Sequence, residues 1–272
     1  MKNSISLTDD IRRKGKFMEY IAACDTDIGI SKKTNQDSVC IKTAKTANGR
    51  AALIMVCDGM GGLSRGELAS AEVVRSFAEW FDSEFPFELP DWDWKTAAIN
   101  VISRLRRLNA MLIDYGARHE LQLGTTATGI IAVNSEFMTF HVGDTRIYKV
   151  TDKLSLITDD HTFVNRAVKM GKMTAEEART DPRRNALVQC IGVTGDISPE
   201  IRFGTLENNA AYMICSDGFR HVLTEKELFE GFSADNTSTK KNIQKKMREL
   251  IETVKKREER DNITVAVLRT KS

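Results

Sequence analysis

The chain has 272 residues, 41% of them apolar and 29% charged, with a formal net charge of +2. That balance is the balance of a folded globular protein and excludes a disordered chain, and the near-zero charge excludes a nucleic-acid surface spread over the whole molecule. No apolar stretch approaches the ~20 residues that span a bilayer, and the opening MKNSISLTDDIRRKGK lacks the apolar centre of a secretory signal. Cys24, Cys40, Cys57, Cys190 and Cys215 are odd in number and widely spaced, mostly inside apolar runs. They read as buried thiols in a reducing compartment, not as a disulfide frame or a zinc site. A cytoplasmic protein with no membrane and no nucleic-acid partner is expected.

Residues 1–16 are polar and are expected to form a flexible arm ahead of a single domain over 17–272, since no Gly/Ser linker divides the rest. EYIAACD (19–25), DSVCIKT (37–43) and AALIMVC (51–57) have the apolar density and length of strands, and Asn48-Gly49 between the last two predicts a hairpin. Ser64-Arg65-Gly66-Glu67 has capping-box spacing. It predicts a helix whose inner face carries Leu68, Ala71, Val74, Ala78 and Phe81. SEFPFELPDWD (83–93), with two prolines, reads as a surface loop pinned by its aromatic rings. Trp94, Ala98, Val101, Leu105, Leu108, Leu112 and Tyr115 then repeat at helical spacing.

The period then changes to that of short strands at 126–134, 137–143, 146–150 and 153–158. A polar excursion over 161–190 follows, then the apolar run AAYMICS (210–216). Helices are expected near 225–229 and over 240–259, the second with Ile243, Met247, Leu250 and Val254 inward. The chain closes on the strand NITVAVLRT. Segregated runs of strands and helices of this kind predict an α+β fold of antiparallel sheets covered by helices. No Rossmann or Walker motif and no repeat is present.

Three carboxylates stand at margins of these strands. Asp58 follows AALIMVC, Asp217 follows AAYMICS, and Asp261 precedes NITVAVL. Taken alone, each reads first as a turn residue. If the strand ends converge, the three would repel one another strongly, and only a cation would make the cluster tolerable. Oxygen donors without His or Cys favour Mg²⁺ or Mn²⁺. Gly59 then leaves its carbonyl open to approach.

Seven ordered motifs, TNQDS (34–38), CDGMGG (57–62), GTTAT (124–128), HVGDTRIY (141–148), ITDDHT (157–162), CSDGF (215–219) and RDNITVAVL (260–268), resemble the protein phosphatase 2C (PPM) family of metal-dependent serine/threonine phosphatases, in its bacterial stand-alone form. The resemblance implies a four-layer αββα sandwich, two antiparallel sheets face to face and flanked by helices, with a metal site at one end and a flap at about 161–190. It implies hydrolysis of phosphoserine and phosphothreonine in proteins by a hydroxide bridging two Mn²⁺ or Mg²⁺ ions. Phosphorylated proteins, targets of a Ser/Thr kinase, are the implied partners. On the matching positions, Asp58 bridges the two ions and the Gly59 carbonyl ligates one. Asp217 and Asp261 complete the other, Asp37 orients the attacking water, and Asp144 helps hold a third, weaker ion.

The chain departs from the family pattern at three positions. Lys32 stands where relatives carry the phosphate-gripping arginine, and a lysine is a point charge where arginine is a two-pronged donor. Lys33 is an equal candidate for that contact or for a solvated charge. Gln36 replaces a glutamate, and Met60 replaces the histidine that protonates the leaving group in many eukaryotic members. Of the four histidines only His161 matches a family position, where it reads as a structural hydrogen-bonder. The basic runs KKNIQKK and KKREER read as a solvated helix face. A non-catalytic scaffold on the same fold, or a phosphomonoesterase of small metabolites, are the alternative readings.

Overall fold

The computed structural model describes residues 18–46, 49–60 and 65–271. The expected arm at 1–16, Asn48, Gly61, Gly62 and the capping Ser64 lie outside the described residues. In chain order the elements are β1 (Glu19–Asp27), β2 (Ser38–Thr46), β3 (Gly49–Cys57), α1 (Gly66–Ser83), α2 (Phe85–Glu88) and α3 (Trp94–His119). Then come β4 (Ala127–Val133), β5 (Glu136–Val142), β6 (Arg146–Val150), β7 (Leu154–Leu156), α4 (Phe163–Lys169) and α5 (Ala175–Thr180). The chain continues through β8 (Glu200–Thr205), β9 (Ala211–Cys215), α6 (Asp217–Arg220), α7 (Glu225–Phe232), α8 (Lys240–Lys256) and β10 (Ile263–Lys271).

Two antiparallel five-stranded sheets result, in the orders β1-β10-β9-β6-β7 and β2-β3-β4-β5-β8. Strand parity builds the layers. In β3, Ala52, Ile54 and Val56 pack into the core between the sheets, while Leu53, Met55 and Cys57 pack under α1 and α3. In β10, Ala266 and Leu268 face the inter-sheet core, and Ile263, Val265 and Val267 face α8. A strand buried on both faces has no polar side to alternate with, which is why AALIMVC reads as an unbroken apolar run. The αββα order expected from the resemblance is the order observed.

The helices test the periodicity. In α3 the expected stripe is buried from Ala98 through Leu112, and Asp93 caps the helix by accepting from the Thr96 N–H at 2.8 Å. Ile243, Met247, Leu250 and Val254 of α8 are buried as expected. In α1 the expected face is only partly right, with Val74 and Ala78 half-buried against the core. Ala69, Val73, Phe77 and Trp80 point inward, Leu68 is exposed, and only Phe81 of the expected set is buried. The larger rings decide this: Phe77 stacks on Phe140 of β5 at 4.8 Å, and Trp80 meets Phe85 edge-on at 5.3 Å. The expected loop over 83–93 contains α2 and a 3₁₀ turn at Leu89–Asp91, with Phe85 buried and Phe87 exposed. Glu67 of the expected capping motif accepts a bond from Gln36 Nε2 at 3.2 Å. No helix among the described residues is long and apolar enough to cross a membrane.

Register places the functional ends together. Ser38 of β2 pairs with Cys57 of β3, Cys215 of β9 with Val265 of β10 and with Arg146 of β6, and Asp27 of β1 with Ile263 of β10. The starts of β2, β6 and β10 and the ends of β3 and β9 therefore lie at one end of the sandwich. Asp37, Asp144, Asp261, Asp58 and Asp217 are the residues that flank those five ends.

Candidate active site

Asp58 is the first residue beyond β3. Its N–H donates to Thr126 Oγ1 at 2.9 Å, and its carbonyl accepts from the Thr126 N–H at 2.8 Å and from Thr125 Oγ1 at 2.9 Å. The GTTAT segment thus clamps the backbone and leaves the side chain unbonded: among the described residues it makes no hydrogen bond or ion pair. Asp58 lies deep among protein atoms while part of its surface still reaches solvent. Burial and then the charges of Asp37, Asp217, Asp144 and Asp261 push its carboxyl well above the usual range.

Asp37 is buried, and neither of its carboxylate oxygens makes a hydrogen bond of good geometry, although the Thr264 and Ser216 hydroxyls lie near. Burial and the charges of Asp217 and Asp261 push it up to about 7, partly opposed by the hydroxyls of Thr264 and Ser216. Asp144, also buried, is pushed up to about 7 by burial and Asp217, against the pull of Arg220. Asp217 opens α6 immediately after β9, and His221 one turn on places its ring nitrogens 3.6 Å from Asp217 and from Glu259. Asp261 carries the pair with Lys32, Nζ to Oδ1 at 2.7 Å. Burial alone would lower the Lys32 ammonium, but Asp261, Asp58 and Asp217 together hold it above its ordinary value.

The charges of the other four sequence-predicted carboxylates all bear on Asp58, and three of the five, Asp58, Asp217 and Asp261, face Lys32. Lys33 is exposed and, among the described residues, makes no ion pair. Among the described residues no three His, Cys, Asp or Glu side chains close on a single point as a finished cage. Like charges separate unless a cation draws them in, and here Lys32 holds Asp261 to one side. The donor set nonetheless fits divalent cations: all hard oxygens, two of them buried without a hydrogen bond of good geometry, with more negative charge than the protein itself neutralises.

Two positioning residues escaped the sequence reading. Asn262 is buried; its Oδ1 accepts from the Gln36 N–H at 2.9 Å, and its Nδ2 donates to the carbonyls of Ile28 at 3.0 Å and Thr34 at 3.2 Å. It fastens the 28–36 loop, and with it Lys32 and Asp37, to the start of β10. Thr126 does the same for Asp58. Asn262 follows a carboxylate already singled out, and nothing in its residue type distinguishes a clamp from a turn. His161 behaves as expected of a structural hydrogen-bonder: its Nδ1 accepts from the Gly143 N–H at 3.1 Å, holding the turn before Asp144. Burial lowers His161 to about 4, and burial with the His161 charge lowers the fully buried His141 to about 3. Neither carries a proton to give near neutral pH.

The family model described as protein phosphatase 2C matches residues 30–261. A Streptococcus pyogenes serotype M6 protein described as of protein phosphatase 2C type is 31% identical over 253 residues, covering 91% of this chain and 96% of that one. The serine/threonine phosphatase stp of Listeria innocua is 27% identical over 224 residues, covering 79% of this chain and 84% of its own. Among solved structures, the catalytic domain of the serine threonine protein phosphatase PstP in complex with two manganese ions superposes with a TM-score of 0.73. It is 26% identical, and the match covers 94% of this chain and all of that one.

Proposed function

The chain belongs to the protein phosphatase 2C family, and from that premise we propose that it hydrolyses phosphoserine and phosphothreonine in proteins with the help of Mn²⁺ or Mg²⁺. The observation that carries the reading is the set of five aspartates from five strand ends, four of them bearing on Asp58 and three facing Lys32, with Asp37 and Asp144 buried and pushed up to about 7. A protein without a cation to bind has no physical reason to assemble such a set.

In this reading Asp58, Asp217 and Asp261 would hold two cations together with the Gly59 carbonyl, and Asp144 would hold a third. The cations supply Lewis acidity, lowering the pKa of water and neutralising phosphoryl charge. Asp37, buried with neither oxygen in a hydrogen bond of good geometry, accepts a hydrogen bond from the attacking water and so orients it. Lys32 exchanges its Asp261 partner for the substrate phosphate, a single-point grip in place of an arginine fork. The Gly59 backbone, tied by its N–H to the Gln36 carbonyl at 3.1 Å, keeps the Asp37 and Asp58 loops at fixed separation. The kinase-phosphorylated substrates and the cytoplasmic setting belong to the same proposal. The five free thiols suit a reducing compartment.

The test is hydrolysis of para-nitrophenyl phosphate and of a phosphothreonine peptide with Mn²⁺ and after chelation, on wild type and Asp58→Asn. The expected result is cation-dependent turnover, lost in the variant by more than the ~10–100-fold typical of residues behind a metal ligand. The variant should fold at least as well without cations, because it removes one charge from a repelling cluster. Turnover that survives chelation, or an Asp58→Asn protein as active as wild type, refutes the reading. A scaffold protein would bind phosphopeptide without turning it over, and a metabolite phosphatase would prefer sugar phosphates.

A further inference from the structure

A cavity of ≈ 390 Å³ opens beside Asp144, between the β6–β7 edge and the excursion helices α4 and α5. Its charged lining is four arginines, Arg146, Arg179, Arg184 and Arg220, against three aspartates, Asp144, Asp159 and Asp160. Two of the aspartates are already matched. Asp160 takes a two-pronged bond from Arg146, at 2.9 Å from Nε and 2.7 Å from Nη2. Asp159 pairs with Lys169 and Arg202, each at 2.7 Å, neither of which lines the cavity. Asp144 has only the distant Arg220, at 4.0 Å.

Two of the arginines are left with donors to spare. Among the described residues Arg179 and Arg184 make no ion pair and no side-chain hydrogen bond, although both line the cavity from the excursion side. Arg220 reaches the Asp144 carbonyl at 3.3 Å with Nη2, which also stands 3.8 Å from Asp160. Guanidinium forks match oxyanions in geometry as well as charge. The volume lies at the small end of ligand pockets, ~300–1,000 Å³, enough for one side chain and its head group but not for a length of peptide. The inner end is the Asp144 corner of the carboxylate site, so a substrate whose phosphate sits at that site extends its flanking residues toward the cavity.

We propose that this cavity is a second oxyanion subsite, in which Arg179, Arg184 and Arg220 bind an acidic side chain, carboxylic or phosphorylated, flanking the phosphoresidue to be hydrolysed. The inference rests on the phosphatase reading and deepens it: the preferred substrates are acidic or multiply phosphorylated segments.

The experiment compares phosphothreonine peptides that differ at one flanking position, asparagine, aspartate or phosphoserine, scanned over three residues on either side. For the wild type kcat/KM is expected to favour an acidic flank by about tenfold at one or two positions, the size of one charge-assisted contact pair. The preference should shrink between low and moderate salt because the rim arginines are exposed. In the Arg179→Ala/Arg184→Ala double variant, checked for folding by its thermal melt, the ratio should fall to about one. The aspartate and phosphoserine arms show which oxyanion the site prefers. Affinities of the same peptides, read by fluorescence anisotropy, give the same ratio without turnover. A protein that binds the acidic-flank peptide preferentially but hydrolyses nothing loses the phosphatase reading and keeps the subsite. Equal kcat/KM and equal affinity for acidic and neutral flanks in the wild type overturn the subsite, as does a preference that survives in the double variant.

Discussion

A methyl group at Gly59 would stand 2.4 Å from the Gln36 carbonyl oxygen and 2.6 Å from that of Gly66. Both contacts are backbone, so neither neighbour can swing aside. The glycine is needed first because three loops cross there, whatever its own carbonyl does. Gly59→Ala is expected to destabilise the fold by ~1–3 kcal/mol, the usual range for overpacking. It should also lower kcat at least tenfold, because Gln36 and Gly66 move with Asp37 and Asp58. Urea denaturation and steady-state hydrolysis check the two parts; a stable, fully active variant contradicts the crossing. The same argument holds at Gly218, where a Cβ would meet the Asn262 carbonyl at 2.2 Å. Residue types legible in the sequence, aspartates beside glycines, pointed to these positions, but the steric reason for the glycines was hidden until their distant neighbours were placed.

Among the elements, α1 shows how periodicity can be right about a helix and only partly right about its face. Its apolar residues cover a wide arc, and any of several stripes satisfies a 3.6-residue repeat. The structure selects the stripe with Phe77 and Trp80 because those rings fill the space over Phe140 and Phe85. Phe77→Ala is expected to cost about 3–5 kcal/mol, as for other buried phenylalanines, and Leu68→Ala less than 1 kcal/mol, since Leu68 is exposed. Chemical denaturation of both variants distinguishes the two faces; equal losses would restore the original stripe. Strand β8 went unseen because it is an edge strand with exposed Arg202 and Phe203, so neither alternation nor a continuous apolar run marks it.

At the scale of the molecule, His141 links stability to pH. It is fully buried, hydrogen-bonded through Nδ1 to Thr128 Oγ1 at 2.8 Å and through Nε2 to the Asp159 carbonyl at 3.1 Å. Its folded value of about 3 lies below the 6.5 of an exposed histidine. Below pH 6.5 the unfolded chain binds a proton that the folded chain refuses, so the stability present above 6.5 is lost as pH falls toward 3. The loss approaches ~1.4 kcal/mol per pH unit for that one group. Stability of wild type minus that of His141→Asn, measured by urea titration at pH 7.5, 6.0 and 4.5, should decline with acid; the site carboxylates are common to both proteins and cancel. A pH-independent difference would mean that the ring accepts its proton in the folded state.

The sequence by itself determined the layers and the chemistry. Uninterrupted apolar runs marked strands buried on both faces, two clear helical repeats marked their covers, and carboxylates at strand ends suggested a cation site, because these are local consequences of burial and charge. Only the tertiary structure decided which ends meet, that Asn262 and Thr126 lock the loops in place, and that Arg179, Arg184 and Arg220 share one cavity. Those relations depend on register and on contacts between residues tens to hundreds of positions apart. No local pattern of hydrophobicity or charge encodes a distance of that kind.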